Sequence, residues 1–245
     1  STPYVNAGFS FGDGKKFLAN VYAGYISSKG KLLYQDYSRL NVKATGSYFM
    51  TKNEVYAGIN VKMSENFLYG YDTSIYKYSK KDVRQQFQDI SFKGGIRNTV
   101  TGEYGINYNP NIEVSNFTNV NKLTETSIVV NAKEEKQFGE AFAFKVEAKA
   151  DVTAYATKNL TPDVKLNNNI FQVAPSFIIS TPRFSVNAGI LPTWDNGNFV
   201  WLPNVYAEAT IAENIFAFQA GWIGKYTKNT YRNLSEINPY LKTFS

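Results

Sequence analysis

The chain has 245 residues, 26 Lys+Arg against 20 Asp+Glu for a net charge of +6, and neither cysteine nor histidine. Without imidazole or thiol there is no Ser-His-Asp or Cys-His nucleophilic pair, no His- or Cys-ligated zinc or haem, and no disulfide framework. A 43% apolar fraction with 19% charge belongs to a folded chain, and the basic residues are scattered, Lys15-Lys16 and Lys80-Lys81 being the densest pairs, so no nucleic-acid partner is expected.

No apolar run approaches the roughly 18 residues that a spanning helix requires. A transmembrane β-barrel instead carries its apolar residues at alternate positions and leaves an unremarkable average, as the mean hydropathy of -0.33 does here. The chain opens Ser1-Thr2-Pro3-Tyr4 with no basic and apolar leader, so it is expected to be processed or to be a piece of something longer.

Taken in chain order, a period of two predicts about twelve strands, near residues 4-11, 16-27, 37-50, 54-64, 85-97, 103-116, 123-133, 141-156, 170-180, 184-191, 199-211 and 215-226. The second carries Phe17, Ala19, Val21, Ala23 and Tyr25 on one face, the third Leu40, Val42, Ala44, Gly46 and Tyr48, the fourth Val55, Ala57, Ile59, Val61 and Met63. The clearest case is Ala141 to Ala156: Phe142, Phe144, Val146, Ala148, Ala150, Val152 and Ala154 take the even positions, and Lys145, Glu147, Lys149, Asp151 and Thr153 the odd ones. A helix would spread those apolar residues around its circumference, whereas a strand collects them on one face. Val205, Ala207, Ala209, Ile211 and then Phe216, Phe218, Ala220, Trp222 close the series. No helical pattern competes, and no linker divides the chain, so residues 1-245 are read as one domain.

The links GDGK, TKN, NTVTG, a stretch around KEEKQFG, TPR and AEN are short, while Ser28 to Asp36, Glu65 to Arg84 and Thr157 to Asn169 are longer. Short turns at one end and long loops at the other are the expectation for an outer-membrane barrel. A β-sandwich also alternates, but strands this long exceed the usual ~5-6 residues and reach the ~9-11 that cross a bilayer obliquely. The fold class expected is therefore all-β, an antiparallel transmembrane β-barrel. Lys43, Lys62, Lys145, Glu147, Lys149, Asp151 and Glu208 are candidates to face a wet lumen. Phe17, Tyr25, Phe216 and Trp222 are candidates for aromatic girdles at the membrane interfaces.

The other motifs favour plain readings. Gly12-Asp13-Gly14-Lys15 lacks the Walker spacing and a following helix, so it is a hairpin turn. Glu134, Glu135 and Glu140 with Lys133 and Lys136 read as a solvated turn, since nothing fixes a catalytic separation or a cation geometry. The tyrosines Tyr69, Tyr71, Tyr76 and Tyr78 fit loop ordering, interfacial anchoring or contact with a carbohydrate or protein equally well. The sequons at Asn116, Asn159 and Asn233 are read as chance. No catalytic pair, metal site or cofactor is expected. Placing the short links on the periplasmic side leaves both chain ends outside, whereas a complete barrel begins and ends inside. At least one strand is therefore expected beyond each end, and the chain is expected to be a section of a larger barrel.

The segments YVNAGFSFGDGKKFLANVYAGYIS, SRLNVKATGSYFMTKNEVYAGINV and VYAEATIAENIFAFQAGW resemble the barrel hairpins of TonB-dependent-receptor-like outer-membrane proteins of the Bacteroidota. The resemblance implies a bacterial outer-membrane location, a barrel of about 22 strands, and uptake or surface display of a solute. It supplies no catalytic residue. Such receptors carry an N-terminal plug domain with a plug-engaging motif, and neither is recognisable in these residues. The partners expected are the lipid bilayer and other outer-membrane or periplasmic proteins. A structural or accessory subunit of an outer-membrane complex is the alternative to transport, and an enzyme is the weakest reading.

Overall fold

The computed structural model describes residues 2–157, 164–211 and 216–241. Their architecture is one antiparallel sheet, in which β1 (Tyr4–Gly12), β2 (Phe17–Lys29), β3 (Asp36–Phe49), β4 (Asn53–Phe67) and β5 (Arg84–Asn98) pair in sequence order. A short β6 (Ile106–Tyr108) stands off this path, which continues through β7 (Asn111–Asn119), β8 (Leu123–Phe138), β9 (Phe142–Thr157), β10 (Val164–Ser180), β11 (Phe184–Asp195), β12 (Asn198–Ile211) and β13 (Phe216–Ile223). Along this path each strand pairs with the one before it, as hairpin connection dictates, while β6 pairs with β8. Among the described residues β1 and β13 are the two edges of the sheet.

The alternation predicted from sequence is realised in the register. Ala150 stands opposite Val130 on β8 and Phe171 on β10, and its neighbour Lys149 opposite Asn131 and Gln172. Because side chains point to opposite faces with period two, every strand contributes to one apolar face and one polar face. The apolar face is the exposed one: Phe9 is 71% exposed, Trp222 68% and Phe177 66%. The small buried cluster of Phe87, Phe117 and Leu123 lies on the other face, with Tyr155 and Tyr231 packed against it.

Five local expectations are corrected. The strand expected at 103-116 is split, since Pro110 has no N–H for a ladder. β6 pairs with the far end of β8 (Ile106 opposite Lys136), and β7 starts afresh at Asn111 opposite Gly95. Lys133, Glu134, Glu135 and Lys136 do not form a turn. β8 runs on through them, and the chain reverses at 139–141, where Gly139 takes φ +68. Nor is the alternation of link lengths strict. The link 99–110 is long on the end expected to be short, while 120–122 and Asn196-Gly197 are tight on the other. Asn196 and Gly197 have φ +47 and +93, the signature of a two-residue hairpin turn. A helix α1 (Tyr231–Ile237) follows β13 where no helical pattern was read. The long segment expected from Thr157 to Asn169 is shorter, since β10 already starts at Val164 and pairs back to Thr157; residues 158–163 with the Asn159 sequon, the AEN link at 212–215, and residues 242–245 lie outside the described residues.

Candidate functional site

The polar face is built row by row. Ladder register aligns Asn41 on β3, Lys62 on β4, Asp89 on β5, Phe117 on β7, Glu125 on β8 and Tyr155 on β9 across the sheet. After β13 the chain folds back over this row, and residues 225–241, including α1, form a strap lying against the wall. Its path is fixed by charge. Lys228 Nζ donates to the Asp151 carboxylate, to the Asp151 carbonyl at 3.1 Å and to Thr153 Oγ1 at 2.7 Å. Arg232 reaches Asp89 Oδ2 through Nε at 2.9 Å and Nη2 at 2.7 Å, and Ser115 Oγ through Nη1 at 3.1 Å. Lys62 Nζ meets Glu236 Oε1 at 2.9 Å, and the Tyr226 hydroxyl donates to the Asp195 carboxylate.

The helix starts where it does for a local reason. Thr230 is the N-cap, its hydroxyl accepting from the Asn233 amide at 3.2 Å. The Glu125 carboxylate accepts from the Tyr231 and Arg232 amides at 2.8 and 3.4 Å. These amides are among the first-turn donors that no helix can satisfy internally, and a carboxylate complements the positive end of the helix dipole. Tyr231 packs edge-on to Phe117 and Tyr155 at centroid distances of 5.9 and 6.4 Å. Burial pushes its phenol up from the usual range, so it is a neutral group receiving the Asn119 amide. Charged partners and an aromatic contact thus alternate along seventeen residues of tail, which explains why Asp89, Glu125 and Asp151 can be buried on this face; each would be prohibitive alone.

Beside the strap the polar face is hollow. A cavity of about 590 Å³ opens over β3, β4, β5 and β7, with Lys43, Lys62, Lys93 and Arg97 among its cations and Glu54 and Glu113 its acids. Glu54 is buried and held by Arg97 at 2.7 Å and the Ser47 hydroxyl at 2.7 Å. Over β8 to β11 a smaller hollow of about 400 Å³ is lined by Lys133, Glu147, Lys149 and Gln172 among others.

Of the residues singled out by sequence, Lys43 and Lys62 share the large cavity. Lys145, Glu147, Lys149 and Asp151 share one face of β9 and pair along the strand, Lys145 with Glu147 at 2.6 Å and Lys149 with Asp151 at 3.3 Å. Lys133 reaches Glu147 from β8 at 3.8 Å. Glu208 stands apart near the far edge, accepting from the Tyr206 hydroxyl at 3.1 Å and facing Gln219. Phe17 and Phe216 are the first residues of β2 and β13, and Trp222 is next to last in β13. With Tyr25, they lie in register with other residues of the apolar face. Sequence reasoning missed Asp89, Glu125, Arg97, Lys228 and Arg232. A signal was available for the first two, inward-facing acids with no cation two residues away on the same strand.

No protein-family profile and no curated protein matches the sequence. Among solved structures, the chain is similar to the crystal structure of the siderophore receptor PirA from Pseudomonas aeruginosa, with a TM-score of 0.66 at 10% sequence identity, over 86% of this chain and 39% of that one. The sheet is similar in fold to an outer-membrane barrel. The chain spans about two fifths of the length of the receptor it matches.

Proposed function

We propose that the chain is wall of a bacterial outer-membrane β-barrel of transport or receptor type, its polar face passing or binding a solute. One observation carries the reading, the inversion of polarity across the sheet. A continuous apolar face is exposed, while charged groups such as Asp89 and Glu125 are 5% and 3% exposed on the other face. In water an apolar surface of that extent is untenable for a monomer. Against lipid it is the expected outer band of a barrel, and an interior of lysines, acids and asparagines is the expected lining.

On this reading Lys43, Lys62, Lys145, Glu147, Lys149, Asp151 and Glu208 face the lumen, and Phe17, Tyr25, Phe216 and Trp222 lie toward the headgroups. The partners are the lipid bilayer and further barrel chain, since the outer edges of β1 and β13 carry a row of backbone groups that hydrocarbon cannot satisfy. The whole of 1-245 is then one section of the barrel domain, and the hairpins that resemble TonB-dependent receptors of the Bacteroidota favour the receptor type. The strap on the polar face favours a second reading, a non-transporting structural or accessory subunit whose interior is filled.

Folding the chain alone into vesicles, then measuring heat-modifiable migration and single-channel conductance, tests the section reading. The expectation is no stable monomeric pore, and a conducting monomer would show that the edges close on each other. Solute flux through the longer protein, with and without residues 225–241, separates the transport and accessory readings.

A further inference from the structure

A second cavity, of about 360 Å³, lies where the strap meets the wall, between Asn41, Lys62, Asp89 and Phe117 on the sheet and Ser235, Glu236 and Pro239 above them. Its volume is within the roughly 300–1,000 Å³ of small-molecule sites. Two of the oxygens here are buried acceptors with no donor among the described residues, Asp89 Oδ1 and Asn41 Oδ1. Asp89 engages Arg232 through Oδ2 alone. A buried acceptor left dry is unfavourable by the full desolvation of that oxygen, so the cavity calls for hydrogen-bond donors.

The charges select among donors. Arg39 and Lys62 balance Asp89 and Glu236 among the residues lining the cavity, and Arg232 already engages the other Asp89 oxygen, so no net charge is left to offset the desolvation of a charged ligand and the lining favours a neutral hydroxylated one. Phe87 and Phe117, their ring centroids 5.7 Å apart, add an apolar floor for the C–H face of a small ring. We propose that this cavity binds a small polyhydroxylated solute, its hydroxyls donating to Asp89 Oδ1 and Asn41 Oδ1, with the Glu236 end of the strap as its lid. That end is tied by the exposed Lys62–Glu236 pair and by the edge-on contact of Tyr240 with Tyr69, whereas Lys228 and Arg232 anchor the other end through side chains 8% and 22% exposed. Exposed pairs hold weakly, so α1 lifts at its Glu236 end and pivots as a body about its first turn, which Glu125 and Asp89 anchor. Asn41 and Lys62 also line the larger cavity, which gives a released solute somewhere to go.

The proposal rests on the reading of the polar face as solute-facing, but it is tested on the folded barrel that contains the chain, extracted into detergent micelles, where membrane insertion plays no part. Saturation-transfer NMR with glucose as probe is expected to give a saturable signal, weaker with glucosamine. Asn41→Leu is expected to raise the Kd about tenfold or more, while Asn60→Leu, which removes an equally unpartnered oxygen of the larger cavity, leaves it unchanged. If Asn41→Leu does not fold, maleimide labelling of Ser64→Cys, a position lining the cavity, decides: glucose is expected to slow it. No saturable glucose signal, equal effects of the two asparagine variants, equal binding of glucosamine, or labelling indifferent to glucose would each overturn the proposal and assign the two oxygens to water. None of these results bears on whether the apolar face meets lipid, which is read by separate labelling of that face.

Discussion

Replacing Ala150 by Arg is the most direct energetic probe of the apolar face. Ala150 stands eight residues after Phe142 and seven before Thr157, the limits of the sixteen-residue β9, and its cross-strand neighbours are Val130 and Phe171. At ~3.3 Å per residue and a tilt of ~45°, β9 rises roughly 37 Å, more than the ~30 Å hydrocarbon thickness, so its midpoint falls close to the bilayer midplane. An arginine there has no polar neighbour in register and is expected to destabilise the folded state by about 2–4 kcal/mol, a factor of roughly 30 to 900 in the folding equilibrium. Reversible denaturant titration in vesicles, with Lys149→Arg as the polar-face control, measures it. The control is expected to stay within about 0.5 kcal/mol of the parent. Equal, small effects at 149 and 150 would refute the assignment of faces.

The strap gives a graded pair of predictions. Arg232→Ala strands the buried Asp89 carboxylate and is expected to cost about 3 kcal/mol. Glu236→Ala breaks a pair whose side chains are 44% and 53% exposed and should cost well under about 1 kcal/mol; denaturant midpoints of the two variants check the order. In the β1–β2 turn, Asp13 accepts backbone N–H bonds from Lys16, Phe17 and Lys15 at 2.7, 3.1 and 2.9 Å, which hold its carboxyl below the usual carboxylate range. A lowered folded pKa means this stabilisation is complete above the unfolded carboxylate pKa and is lost as pH falls through the folded one. Amide exchange at Lys16 and Phe17 should therefore accelerate, beyond the intrinsic pH trend, in acid, and Asp13→Ala should abolish that extra acid dependence.

The sheet was legible because each strand announces itself by contrast between neighbours: Lys149 between Ala148 and Ala150 admits one secondary structure. Boundaries were less legible where polarity ran on without a break. Lys133 to Lys136 looks like a turn because four charges adjoin, yet a strand projecting past its neighbour β7 can carry charge on both faces, and pairing with β6 keeps it extended. Pro110 was the visible reason to divide 103-116. The strap was illegible for another reason. Tyr231 to Ile237 is seven residues, too short for periodicity to register and too short to be stable alone, so what fixes it is tertiary: Glu125 at its first turn, Asp89 and Asp151 beneath its cations. The lumen candidates were read as individual side chains, and register alone shows that Lys43 and Lys62 share a cavity while Glu208 stands away from them.

Cysteine accessibility in intact membranes tests the central claim directly, because the chain has no native cysteine and adjacent residues of one strand face opposite ways. With a membrane-impermeant maleimide, Lys149→Cys is expected to be labelled in the wet interior and Ala150→Cys to be protected by lipid, with both labelled after detergent and denaturant. Labelling of Ala150→Cys together with protection of Lys149→Cys would contradict the account.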